Sequence, residues 1–373
     1  MLKKSLTVIA SSLLVASMAN ATELYNNDGT TFSIGGRLDM GLATTTNTTA
    51  SGKFHDVGTL NNSRINFAGS RQLNEDTKVF GKVEWGFDAN AGDSSPSPVT
   101  KNRLANAGIS NKTFGTITYG KQYGTFYDVS GFTDMYEISG GDANYLAINS
   151  DLIGLNRPDS TLRYDNKFRN ANFAIYYASK DSGQYKDNAS LELTRKYAAG
   201  SSVIVDVAEG LKVGVATNYA LLGNTIGTGD TNEGIDISST VFGLSYDSDL
   251  FAVAITGSFH TIGEKNGITG ASLPAAGIIG QESYFAFKLG KPALVYVGNN
   301  FQVVDFKDWE DLGMSTDSIK TQNYVALGAK YSFTESFVTA IEYRADLRSS
   351  HDLALAGESA RGDQLAAVIK YYF

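Results

Sequence analysis

An alternation with a period of two residues, held over stretches of about eleven residues and repeated along the sequence, constrains this chain most. Phe32, Ile34, Gly36, Leu38, Met40 and Leu42 fall on one face of an extended segment; Ser33, Gly35, Arg37, Asp39 and Gly41 fall on the other. A globular strand usually runs about 5–6 residues, whereas about 9–11 residues tilted near 45° cross the apolar band of a bilayer. The length itself therefore points to a membrane. The same pattern returns at Leu211 to Tyr219, at Phe251 to His260, at Tyr324 to Phe333 and at Phe337 to Asp346. In these segments the less apolar face mixes Gly, Ala and Ser with scattered charges such as Lys330, Glu342, Arg344 and Asp346. A soluble sandwich would turn a face rich in Lys, Thr and Glu to bulk water; small residues with occasional charges suit a crowded, wet lumen.

The links between these segments are unequal. Glu209-Gly210 and Thr334-Glu335-Ser336 are short, while Asn90 to Thr100, Leu222 to Asp236, Thr261 to Gly280 and Leu347 to Arg361 read as long polar loops. Short turns on one side and long loops on the other are the layout of a transmembrane barrel. Sixteen candidate strands can be marked, from 31–43 to 363–373, with Leu191 and Leu193 leaving open whether the stretch before 201 is strand or loop. An even number returns both ends to one side, and about 16–18 strands enclose an aqueous channel where eight are filled by side chains. The expected fold is all-β: a transmembrane antiparallel β-barrel of about 16 strands.

The N-terminus reads as an export signal. Lys3 and Lys4 form a basic start, Leu6 to Ala16 is mostly apolar, and Ala19-Asn20-Ala21 offers a small-residue cleavage site. The expected division is thus a signal peptide over 1–21 and a barrel over 22–373. Removing the signal leaves 352 of 373 residues and moves the formal net charge from −8 to −10. An acidic chain is a poor partner for nucleic acid. Cysteine is absent, which excludes disulfides and thiol chemistry. Beyond Ala21 no apolar run approaches the roughly 18 residues of a spanning helix. Twenty Tyr and twenty Phe suit both pleated surfaces and membrane–water interfaces.

Particular stretches carry a family likeness. Glu23-Leu24-Tyr25-Asn26-Asn27-Asp28-Gly29, Asn62-Ser63-Arg64-Ile65-Asn66-Phe67-Ala68-Gly69 and Asn102-Arg103-Leu104-Ala105 are three. Tyr119-Gly120-Lys121-Gln122-Tyr123-Gly124 is followed by Tyr127-Asp128, Thr133-Asp134-Met135 and Gly140-Gly141-Asp142, and the chain ends Tyr371-Tyr372-Phe373. In order and spacing these resemble the Gram-negative general diffusion porins of the trimeric, sixteen-stranded kind, end to end over the mature chain. The resemblance implies an inward-folded third loop, at about 125–157, that narrows the bore. It departs at one place: the family's Pro-Glu pair in mid-loop is matched here by Glu137-Ile138.

By parity Arg37, Arg64 and Arg103 face the lumen on strands one, two and four, where they would form a basic ladder, with Lys82 as a further cation. Arg stays charged at any relevant pH and stacks with its neighbours. The resemblance adds Arg157 as another basic position and sets Asp134, Glu137, Asp128 and Asp142 on the loop as the opposing acids. Opposed charges across a gap of about 7–10 Å would set a transverse field that polar solutes align with and apolar ones do not.

The expected function is a passive diffusion channel for small hydrophilic solutes and ions in the outer membrane, and the resemblance implies a homotrimer set among lipopolysaccharide and outer-membrane lipid. A substrate-specific channel is the alternative, although it needs an aromatic slide and the lumen positions read as Gly, Ala and charge. A barrel hydrolase would need a base, for which His260 is the one candidate, without a Ser or acidic pair placed beside it. No catalytic residue, metal or cofactor is expected. Gly115 to Gln122 nearly spells a phosphate-binding loop, but Gln122 replaces the required Ser/Thr and the stretch lies in an alternating strand. His55, His260 and His351 lack ligand spacing. Asp305, Asp308, Glu310 and Asp311 read as solvated loop charges, with divalent ions bridging them to lipopolysaccharide as the other reading.

Overall fold

The computed structural model describes residues 21–49, 52–92, 101–146, 149–181, 185–186, 191–226, 229–265, 276–290, 292–306, 318–355 and 361–373. Residues 1–20 of the expected signal, the acids Asp308, Glu310 and Asp311, and parts of all four expected long loops lie outside them. One antiparallel sheet closes on itself. Its staves are β1 (Thr30–Thr49), β2 (Gly52–Asn61, resuming as Ser63–Gln72 after Asn62), β3 (Thr77–Phe87) and β4 (Lys101–Asn111). Next come β5 (Gly115–Lys121), β6 (Thr161–Phe168), β7 (Ala171–Ala178) and β8 (Leu191–Ala208). Then follow β9 (Leu211–Ile226), β10 (Gly229–Asp247), β11 (Phe251–Lys265) and β12 (Ala276–Lys288). The last four are β13 (Ala293–Phe306), β14 (Ile319–Ser332), β15 (Phe337–Asp346) and β16 (Arg361–Tyr372). The barrel has the sixteen strands that the alternation predicts. Two short strands stand outside that count: Thr22–Asn27, which pairs with the start of β1, and Tyr185–Lys186, which pairs with β8.

Closure joins β16 to β1, with Tyr372 opposite Arg37 and Arg361 opposite Thr48. Beyond the strand, Phe373 and Gly36 exchange both backbone hydrogen bonds, at 2.9 and 3.1 Å. Burial alternates as the sequence does, but with the sense opposite to that of a soluble protein. On β11 Ala252, Ala254, Thr256, Ser258 and His260 are buried while Ile255 and Phe259 are exposed. On β15 and β16, Ile341, Tyr343, Leu365, Ile369 and Tyr371 point outward, and Glu342, Val338, Ala366 and Lys370 point in. An apolar exterior of this kind is stable where the solvent is hydrocarbon, and the closed ring leaves no unpaired backbone edge.

Turns at one end are short throughout, including Asp28-Gly29, Arg169-Asn170 and Glu209-Gly210, each with a residue at positive φ. The other end differs from expectation. The stretch Leu222 to Asp236, expected as a loop, continues β9 to Ile226 and β10 from Gly229. Likewise Leu191 and Leu193 belong to β8, which begins ten residues before the expected 201. Polar residues such as Asn224, Thr225, Asp230 and Thr231 sit in register there, so the strands outrun the apolar band and lose their apolar half. Within Leu347 to Arg361, Ser350–Leu355 forms a helical turn, α2. Strand β5 stops at Lys121 and β6 starts at Thr161, leaving residues 122–160 as the third loop, whose helix α1 covers Thr125–Ser130.

Candidate pore constriction

The third loop lies inside the barrel because the wall offers it both an apolar seat and polar fastenings. Phe126 and Val129 of α1 are fully buried, packed with Leu146, Leu152, Ile153 and Leu155 of the same loop against Ala198, Ala216, Ile237 and Val241 on β8–β10. Burying a large apolar side chain contributes about 1.5–3 kcal/mol. Two arginines hold the loop's two limbs. Arg163 of β6 donates to both Asp128 carboxylate oxygens, at 3.0 and 2.9 Å, and to the Tyr123 carbonyl at 3.1 Å. Arg195 of β8, fully buried, donates to the carbonyls of Asp151 and Leu152 at 3.2 and 3.0 Å and pairs with the Asp159 carboxylate.

The tip is fastened on the far side. Glu282 of β12 accepts from the Thr133 hydroxyl at 2.6 Å and from the amides of Ala143 and Asn144 at 2.8 and 3.0 Å. Glu342 of β15 accepts from the Ser139 amide at 2.9 Å and from the Tyr296 hydroxyl at 2.5 Å. Asn300 receives the Asp142 and Ala143 amides, each at 3.2 Å, and Gln302 donates to the Ala143 and Tyr145 carbonyls at 2.9 and 2.7 Å. Gly280 and Gly298 make this approach possible: a Cβ on the first would collide with the Ala143 carbonyl oxygen, and on the second with the Tyr136 hydroxyl.

Across the bore stands the ladder. Arg37 and Arg64 are direct register partners on β1 and β2, and Arg64 faces Gly86 on β3. Arg103 sits where the β3–β4 register slips between Glu84 and Trp85. Each of the three keeps about a fifth of its side chain accessible, at 19%, 17% and 18%. Lys82 is buried behind them, on the same face as Glu84. Parity alone did not expose the part Glu84 plays. This buried carboxylate takes the Arg103 Nε at 2.8 Å, Arg64 at 3.5 Å and Lys82 at 3.8 Å. Arg37 pairs with Asp39 at 2.9 Å. Arg157 lies on the loop's return limb, 3.7 Å from Asp151, with its guanidinium 6.0 Å from the Tyr123 ring.

The four loop acids divide into two kinds. Asp134 is exposed and accepts from the Tyr127 hydroxyl at 2.6 Å; Tyr127 in turn stacks on Tyr123 at 4.2 Å. Asp142 is exposed and accepts from Tyr324 at 2.7 Å. The other two are consumed by partners. Burial pushes the Asp128 carboxyl above its ordinary range against the pull of Arg163, and Ser202 donates to it at 2.6 Å. Glu137 is gripped by Lys330 at 2.6 Å and Lys370 at 2.7 Å. Burial alone would raise its carboxyl, but Lys370 and Lys330 outweigh that and hold it below the ordinary range. The structure thus brings Arg37, Arg64, Arg103 and Lys82 together on one wall, leaves Asp134 and Asp142 open on the loop, and ties Asp128 and Glu137 to wall cations.

His260 is buried on β11 against Phe126 and contacts Ser239 at 2.9 Å through Nδ1. It lies beneath the loop helix and not at a rim.

A family model for Gram-negative porins matches residues 5–372. Outer membrane porin F of Escherichia coli strain K12 is 28% identical over 390 residues, covering the whole of both chains. Outer membrane protein F of Serratia marcescens is 26% identical over 393 residues, again over both whole chains. Among solved structures, Salmonella typhi OmpF in complex with daunomycin superposes with a TM-score of 0.74 at 21% identity, over 94% of this chain and 100% of that one. An anion-selective porin from Comamonas acidovorans gives 0.67 at 16%, over 92% and 100%.

Proposed function

The chain belongs to the Gram-negative porin family, and from that membership we propose how its charges divide the work of a constriction. The protein is a passive channel of the outer membrane, through which small hydrophilic solutes and ions diffuse. Its family is one of channels and not of enzymes. Arg37, Arg64 and Arg103 line one side of the narrowest passage, with Lys82 behind them, and Asp134 and Asp142 line the other. Arg157 extends the basic side along the loop's return limb, whereas Asp128 and Glu137 fix the loop in place. The observation that carries this reading is the pairing of three part-open guanidiniums within the β1–β4 stretch of wall with a loop fastened to β12–β15. A hydrated ion or sugar crossing the gap exchanges part of its water for these charges, while an apolar solute loses ordered water without return.

The functional unit is a homotrimer embedded in outer-membrane lipid and lipopolysaccharide, and the chain reaches it after removal of residues 1–21. Purified protein in planar bilayers tests the scheme. Conductance should rise in steps, close in threes and scale linearly with salt, with ion preference moved in opposite directions by Arg64→Ala and Asp134→Asn. Absence of channels would end the pore reading. One observation favours a substrate-specific channel instead: the stacked Tyr123 and Tyr127 rings present an aromatic surface beside Arg157. Saturable flux of a single sugar would select that reading over linear, unselective flux.

A further inference from the structure

Arg344 of β15 differs from the other charges around the third loop. It is half-buried on the lumen face, between the buried Glu342 and Asp346, and lies opposite Ala326 of β14 and Gln364 of β16. Among the described residues its guanidinium has no hydrogen bond and no ion pair, and its Nε is enclosed without a partner. What it does touch is the face of Tyr324, with its central carbon 5.2 Å from the ring centroid. That contact holds a cation in place without neutralising it. Its neighbours on the wall are otherwise acids already in use: Glu342 holds the Ser139 amide and Tyr296, and Asp346 is paired with Arg348 at 2.8 Å.

The same Tyr324 ring links Arg344 to the loop. Its hydroxyl donates to Asp142 at 2.7 Å and receives the Gly140 amide at 3.1 Å. Enclosure in the bore raises the Asp142 carboxyl above its ordinary range, and the Tyr324 hydrogen bond and the Arg344 charge act against that rise. One aromatic ring therefore carries an unneutralised guanidinium on its face and an exposed carboxylate at its hydroxyl.

We propose that Arg344 is a selectivity-determining residue on the loop-bearing wall, an anion subsite for chloride and for carboxylate-bearing solutes, set beside the cation-attracting Asp142. The proposal rests on the pore reading above and adds a cation where that reading has only acids. The subsite gives the passage two basic stations, the ladder on β1–β4 and Arg344 on β15, which β16 separates from β1. A zwitterionic solute would then find both of its charges matched on the loop side alone.

The test is the reversal potential of the full-length channel in a potassium chloride gradient across a planar bilayer, for wild type, Arg344→Gln and Arg344→Lys. Arg344→Gln should raise the cation-over-anion permeability ratio about two- to fourfold, because one unit charge acting through water at roughly 10 Å shifts cation and anion by about twofold each in opposite senses before salt screening. Arg344→Lys should stay near the wild-type ratio, since the charge is kept. Heat-modified gel mobility reports that each variant is a folded barrel. An unchanged ratio in a folded, conducting Arg344→Gln channel overturns the proposal and leaves the pore reading intact. A ratio shifted equally by Arg344→Lys also overturns it, because packing and not charge would then be responsible. Wild-type protein that forms no channels fails the pore reading instead.

Discussion

The two walls of the bore use the same residue types in opposite ways. On β1–β4, cations outnumber the one buried carboxylate they share: Arg64, Arg103 and Lys82 all lean on Glu84, so positive charge is left over to face the passage. On β12–β16, carboxylates meet loop backbone. Glu282 and Glu342 spend their oxygens on the amides of Ala143, Asn144 and Ser139 and are lost to the solute. A charged residue in a lumen thus has a field to offer only when its partners leave some of it unmatched. A buried charge satisfied by several hydrogen bonds is architecture.

The strongest way to break the contrast is to empty the loop-bearing wall. Glu282→Ala would leave the Asn144 amide without an acceptor in a buried site and leave Ala143 and Thr133 to their longer bonds with Asn300 and Ser130, at a cost of about 3–5 kcal/mol to loop docking. The expected outcome is a larger, noisier single-channel conductance, with loop 3 becoming a site of proteolytic nicking. Quiet, wild-type-sized steps would show that the remaining contacts of Asn300 and Gln302 hold the loop without it. A smaller effect should follow on the other wall. Glu84→Gln removes the charge shared by three cations, so anion preference should rise by several-fold while conductance changes little, as read from reversal potentials.

The smallest effect is at Glu137, where both walls' habits meet, since an ion pair there does a fastening job. Its folded-state carboxyl lies below the ordinary value, so the docking it supplies is fully present above about pH 4.3 and is lost as pH falls through the lower folded value. Tip contacts should therefore be unchanged between pH 7 and 5 and weaken only in stronger acid. Glu137→Gln should show its increased current noise at every pH, at a cost of about 1–3 kcal/mol. Acid-induced noise that persists unchanged in Glu137→Gln would assign the effect to another group.

Much of the barrel was legible because its physics is local. Parity assigns a face residue by residue, and the cost of a charge in lipid, about 2–4 kcal/mol at midplane, sends Arg37, Arg64, Lys82 and Arg103 inward without any knowledge of their neighbours. Strand ends were harder: once β8, β9 and β10 leave the apolar band, successive rungs are both polar and the alternation fades, as where Asn224 meets Thr231 and Thr225 meets Asp230. The fastenings of the third loop were illegible for a different reason. Glu137 meets Lys330 and Lys370 across 193 and 233 positions of sequence, and nothing in a local window couples them. Parity had put Lys330 and Glu342 into the interior, but an interior charge gives no sign of whether it will meet solute, carbonyl or amide. Arg163 and Arg195 were missed on those grounds.

The length of the strands on one side of the barrel has a consequence of its own. Strands β8 and β10 run 18 and 19 residues, while β15 has 10. At about 3.3 Å per residue, the longer ones reach roughly 60 Å, well past a tilted crossing of a hydrocarbon layer about 25 Å tall. The mouth of the channel is therefore a lopsided collar, high over the loop helix that leans on β8–β10 and low near β15. Because β8, β9 and β10 ladder to one another through most of that collar, with slips at Arg195/Tyr197 and Gly223/Asn224, it is a stiff parapet: solutes meet an entrance edged there by paired backbone.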